Sequence, residues 1–142
     1  MKKLFITLCF IAISITSVLS QQIVGQNQKE IKKQLKSEGF SLTEYNAELN
    51  ADFFINESET FIYACWYDSE KDNYCYQFAI SGNSGTLKSY NTLVESIKGM
   101  CNDRGDGFYM NYATGLSYLF KYDRESDIWQ FFSIDMDYVP EQ

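Results

Sequence analysis

The sequence predicts an α+β protein: two helix-plus-three-strand units in tandem, their strands joined in one antiparallel sheet and both helices packed on one face. Three observations carry that expectation. Residues 61–80, FIYACWYDSEKDNYCYQFAI, read as strand, acidic turn and strand, and residues 116–135, LSYLFKYDRESDIWQFFSID, repeat the pattern without a gap. Tyr63 then falls on Tyr118, Tyr67 on Tyr122, Asp68 on Asp123, Asp72 on Asp127 and Tyr74 on Trp129. Each hairpin follows an amphipathic helix, and a helix with one apolar stripe buries it against a sheet in a two-layer domain.

The chain opens MKKLFITLCFIAISITSVLSQQ, two lysines and then an apolar run ending in small residues, which is the layout of a secretory signal peptide. Cleavage after Ser20 is expected. Residues 21–142 then form a single domain of 122 residues in two related halves, about 27–81 and 86–137. That length supports one core, burying roughly two-thirds of the unfolded surface. The leader's apolar run is short for a membrane span and no basic flank follows it. The expected location is therefore periplasmic or extracellular, with no membrane insertion once the leader is removed.

Residues 27–38 carry a helix start and stop: Asn27 can cap, Glu30 stands three residues on, and Gly39 ends the element. Ile31 and Leu35 give one apolar face, and Lys29, Lys32, Lys33 and Lys36 the other. In residues 41–50, Leu42, Tyr45 and Leu49 recur at helical spacing, which suggests a short helix or irregular connection. Residues 51–55 read as a strand that turns into the first hairpin. The SGNSG stretch at 81–85 reads as a flexible junction between the halves. The strongest helix follows at 86–100, with Leu87, Tyr90, Val94, Ile97 and Cys101 as its buried stripe. NDRGDG is a tight loop with two glycines, residues 108–112 a strand, and residues 139–142 a frayed tail.

Composition removes several functions. Without Lys2 and Lys3, ten basic residues face nineteen acidic ones, a formal charge of −9. Nucleic acid and anionic membrane surfaces need clustered Lys and Arg, so neither is an expected partner. The absence of histidine eliminates Ser-His-Asp and Cys-His catalysis and the commonest zinc sites. The acidic turns 68–72 and 123–127 alternate carboxylates as calcium loops do, but lack the glycine and the distant bidentate glutamate. No metal or other cofactor is expected. Arg104-Gly105-Asp106 sits between Asp103 and Gly107 and reads as turn chemistry.

Three cysteines remain after the leader: Cys65, Cys75 and Cys101. If Trp66 faced Tyr74 across the first hairpin, Cys65 and Cys75 would stand directly opposite and could bridge. A slip of one residue would send them to opposite faces. Cys101 ends the stripe of the second helix, where it is expected as a small buried side chain.

Aromatics make up 17% of the chain and crowd the strands. Two helices on one side cannot cover both faces of such a sheet, so part of this ring surface is expected in the open. Tyr63, Tyr67, Tyr118 and Tyr122 are the candidate binding surface for a protein, peptide or glycan. The expected function is a non-catalytic exported binding module. Two alternatives are a small enzyme using carboxylates near the Gly105 or Gly82 loops, and a structural component of an envelope.

With helix signals at 30–39 and 87–99 and the paired hairpins, the tandem plan resembles the β-lactamase inhibitory protein family and other small exported bacterial proteins. That resemblance is one of architecture. It implies that the open, aromatic-rich face of the sheet grips another protein.

Overall fold

A computed structural model describes residues 23–58 and 60–139. The expected signal peptide, residues 1–20, and most of the expected tail lie outside the described residues. Helix α1 (Gln28–Ser37) leads into β1 (Phe40–Asn46), β2 (Ala51–Asn56), β3 (Ile62–Asp68) and β4 (Tyr74–Asn83). Helix α2 (Leu87–Lys98) leads into β5 (Asn102–Asp103), β6 (Phe108–Asn111), β7 (Leu116–Asp123) and β8 (Ile128–Asp135). The strands form one sheet in the order β1-β2-β3-β4-β8-β7-β6-β5, antiparallel throughout. Each half thus contributes its last strand to the centre and its first to an edge.

The α+β class with one antiparallel sheet is as the sequence indicates, with one more strand per half. The edge strand β1 occupies the stretch read as a short helix or irregular connection. A bulge between Leu42 and Glu44 inserts an extra residue, so Leu42, opposite Phe54, and Tyr45, opposite Asp52, share a face although three apart. Both are about half exposed. The helical spacing of their apolar residues is therefore the signature of a bulged edge.

Local chemistry sets the helix ends. Asn27 Oδ1 accepts from the Glu30 backbone N–H at 3.0 Å, and Gly39 takes the left-handed conformation, φ +88°, past the last turn of α1. The hairpin turns match as well: Asp68 accepts from Glu70 N–H, Asp123 from Glu125 N–H, and Asp72 and Asp127 both have positive φ. The SGNSG junction is ordered: β4 runs to Asn83, and the Trp129 indole N–H donates to Asn83 O and Thr86 Oγ1.

Both helices lie on the same face. Ile31 and Leu35 of α1 and Leu93 and Ile97 of α2 are buried in one cluster with Phe54, Tyr63, Phe78, Ile80, Tyr118, Phe120, Trp129 and Phe131. The α2 stripe is centred on Leu93 and Ile97, with Leu87, Tyr90, Val94 and Cys101 partly buried at its margins. Tyr90 packs its ring against Phe120, Tyr122 and Trp129. Helix α1 is also tied down by charge, because fully buried Asp52 on β2 accepts from Gln28 Nε2 at 3.0 Å and meets Lys32 Nζ at 3.5 Å.

Removing Lys32 leaves that carboxylate buried without a counter-charge. Since the ammonium is part-exposed, Lys32→Met is expected to cost only about 1–2 kcal/mol in urea denaturation. The loss should largely vanish in an Asp52→Asn background. Equal losses in both backgrounds would mean that the pair does not hold the helix.

Candidate functional site

The alternation of a strand sends successive side chains to opposite faces, so the ladder assigns every residue a side. One row on the face away from the helices runs Glu44, Phe53, Ala64, Ala79, Phe132, Leu119, Phe108 from β1 to β6. The next row contains Trp66, Gln77, Ile134, Ser117 and Met110 from β3 to β6. Among the described residues no helix lies over these rows.

The middle of the first row is two alanines side by side on β3 and β4. Alanine side chains are short, so this part of the face is a shallow trough, and its taller walls leave the Ala64 and Ala79 floor only 6% and 3% exposed. Phe53 and Trp66 stand on one side, edge to face with ring centroids 6.2 Å apart. Phe132 stands on the other, with Lys121 Nζ 5.8 Å from its centroid. Phe53, Trp66, Phe132, Leu119, Phe108, Met110 and Ile134 are all half-buried, so each keeps part of its surface in water. Ile62 and Ile128, on one flank of the trough, are 48% and 45% exposed. Such a patch offers rigid apolar area, which is what protein interfaces bury at their centres.

The four tyrosines read from the sequence are not on this surface. Tyr63, Tyr67 and Tyr118 are buried beneath the helices, and Tyr122 is half-buried on the same side. Burial pushes the hydroxyls of Tyr63 and Tyr67 well above the ordinary tyrosine range, Tyr67 further because Cys65 and Asp52 lie beside it. The reason is parity. Tyr118, Phe120 and Tyr122 alternate with Ser117, Leu119, Lys121 and Asp123, and the charged members mark the second set as the one facing water. In β3 the same parity puts Trp66 outward and the tyrosines inward. The charged residues in β7 are thus a sequence signal for the open face, which an aromatic count does not register.

Direct opposition of Cys65 and Cys75 also does not occur. The observed register places Cys65 opposite Phe78 and Cys75 opposite Tyr67, and both thiols are free and buried. The acidic turns are turns: Asp68 is used by the Glu70 N–H and by the Tyr138 hydroxyl at 2.6 Å. Among the described residues no three Cys, Asp or Glu side chains come together in a way that could hold a metal ion, and no helix is long and apolar enough to cross a membrane.

The Tyr138 contact latches the C-terminal turn (Met136–Tyr138) onto the first hairpin, with Tyr138 stacked on Tyr76 at 4.7 Å and Lys71 over its ring. That hydroxyl, followed by the Glu70 N–H, holds the Asp68 carboxyl below its usual range. Because the folded value is depressed, the contact is fully in place above about pH 4, the ordinary Asp value, and is lost as pH falls through the lowered one. Tyr138→Phe is expected to raise the Asp68 titration midpoint, followed by NMR of its carboxyl carbon. An unchanged midpoint would mean that the latch is not formed.

Fold and site together define an α+β protein whose single sheet is roofed by helices on one side and carries an apolar, aromatic-walled trough on the other. Comparison with protein families, with known proteins and with solved structures finds no match.

Proposed function

We propose that this chain is a non-catalytic binding module that holds a polypeptide in the trough of its open sheet face. The observation that carries the reading is the separation of the two faces. One packs its central rows into the core beneath α1 and α2, whereas the other presents Phe53, Trp66, Phe132 and Phe108 around the Ala64–Ala79 floor. The mixture of rings with Ile62, Leu119, Ile134 and Met110 favours a protein or peptide over a glycan, because sugar recognition needs flanking hydrogen-bond groups as well as rings. The resemblance to the β-lactamase inhibitory protein family enters the same proposal, since it too implies protein binding through the open face.

Nothing at the Gly82 or Gly105 loops favours a carboxylate enzyme there. Asp127, near Gly82, is engaged by Ser84 at 2.7 Å and Tyr122 at 3.3 Å, and Asp103 and Asp106 flank Gly105 in an exposed tight turn. Asp68 and Asp123 titrate below the usual range, Asp123 chiefly through the Ser126 hydroxyl, opposite to what a general acid at neutral pH requires.

The test is to pan the protein against peptide-display and glycan libraries beside a Trp66→Glu, Phe132→Glu variant. Polypeptide ligands held by the parent and released by the variant are expected. Ligands that the variant retains, glycan ligands only, or none above the variant's background would overturn the reading.

A further inference from the structure

The three described cysteines are not equivalent. Cys65 on β3 and Cys75 on β4 are both 0% exposed on the helix side, whereas Cys101 lies past the end of α2 and is partly exposed. Their shared side depends on one irregularity. With Cys65 opposite Phe78, uninterrupted alternation down β4 would turn position 75 to the open face. The ladder instead steps from Trp66↔Gln77 to Tyr67↔Cys75, so Tyr76 is an extra residue and Cys75 is rotated back beneath the helices. Cys75 becomes the diagonal neighbour of Cys65 on the buried face, where its S–H donates to Gln77 O at 3.3 Å.

The backbone around Cys75 is fixed from both sides. Its N–H donates to Gln26 O at 2.8 Å and its C=O accepts from Gly25 N–H at 2.9 Å, while Tyr67 pairs with it on β3. The segment before α1 therefore pins Cys75 in place, and α1 belongs to the same buried cluster as both thiols.

We propose that Cys65 and Cys75 are a disulfide-forming pair, closed while the chain folds by exchange with a disulfide donor, and that Cys101 stays outside the bond. One cysteine thiolate attacks the donor's disulfide, forming a mixed disulfide and releasing the first donor thiol. The second cysteine then attacks the protein sulfur of that mixed disulfide, forming the Cys65–Cys75 bond as the second donor thiol leaves. The pair is oxidised, the donor is reduced, and the two cysteine protons end on the donor thiols. Exchange must precede closure of the core. Once folded, burial, and secondarily the neighbouring Cys75 thiol, push the Cys65 thiol well up in pKa and deny it the thiolate.

The experiment uses a chain carrying Cys9→Ser throughout, so that only Cys65, Cys75 and Cys101 are counted, and refolds it reduced and unfolded from urea with reduced and oxidised glutathione, as that parent and with Cys101→Ser added. Intact mass, a thiol count in denaturant and peptide mapping are then measured. Cys101→Ser is expected to lose two hydrogens, retain no thiol and yield a Cys65–Cys75 linked peptide, with Tm on the order of 5 °C above its reduced form. Parent protein folded in the reduced state first and then given oxidised glutathione should react at Cys101 alone. Two free thiols in refolded Cys101→Ser, separate glutathione adducts on Cys65 and Cys75, or a parent bond that includes Cys101 would each overturn the proposal. Should Cys101→Ser fail to fold, the parent's peptide map decides between the same outcomes.

Discussion

Gly82→Ala is expected to lower stability by about 2–3 kcal/mol, a large effect for a single methyl group. Gly82 lies on β4 opposite Trp129, where a Cβ would fall 2.5 Å from Thr86 Oγ1 and 2.6 to 2.7 Å from two atoms of the Trp129 ring. Neither neighbour can retreat without loss. The indole N–H is held by Thr86 Oγ1 at 2.9 Å and Asn83 O at 3.0 Å, and Trp129 itself is 0% exposed in the core. Displacing the ring therefore breaks the junction between β4 and α2 as well as the packing. Gly99→Ala is the matched control, because that residue is already in helical conformation with nothing closer than 3.7 Å. It should be neutral or stabilising by about 0.5 kcal/mol. Urea denaturation of both proteins checks the difference, and losses of equal size would show that close packing at Gly82 is not what requires glycine. A Trp129→Phe background removes the ring atoms in question, so there the cost of Gly82→Ala should fall below its cost in the parent.

For the trough, the double variant Trp66→Glu, Phe132→Glu should weaken ligand binding at least about 30-fold, the equivalent of one hot-spot side chain at roughly 2 kcal/mol. Each new carboxylate stands on a half-exposed position and can reach water, so the stability cost should stay near 1 kcal/mol per site. The binding loss has two sources. The ring area that the partner would cover is gone, and a charge must be desolvated where the interface centre was apolar. Tyr112→Ala provides the control: that ring is 57% exposed and lies beyond the end of β6, outside the rows that form the trough. Calorimetric titration of the library-derived ligand against all three proteins, with circular dichroism to verify folding, decides the matter. If Tyr112→Ala reduced affinity as much as the double variant, general surface stickiness would replace the trough as the explanation.

The same feature bears on both faces. The bulge at Tyr76 turns Cys75 inward, and β4 resumes its outward alternation at Gln77 and Ala79. A bulge has no reliable mark in sequence, because it depends on what the neighbouring strand and the segment before α1 offer the backbone. This is why the hairpin of β3 and β4 is legible but the cysteine register is not. The β1 bulge has the same consequence: it converts strand spacing into helix spacing and conceals an edge strand whose residues, largely exposed, show no burial rhythm.

Short-range chemistry in the chain was sufficient to locate α1 and α2, to bound α1 with Asn27 and Gly39, to form the Asp68 and Asp123 turns, and to indicate a sheet with helices on a single side. These features depend on hydrogen bonds and apolar spacings within a few residues of one another. The side on which each aromatic stands is a different kind of property. Tyr63 and Trp66 are both rings on one strand, and their fates separate because α1 packs over one face of a sheet assembled from both halves. Pairing of β4 with β8, between residues about 50 apart in the chain, completes that sheet, sets Ala64 and Ala79 against Phe132, and so creates the open trough. No local pattern encodes it, because its walls come from strands of both halves that are far apart in the chain.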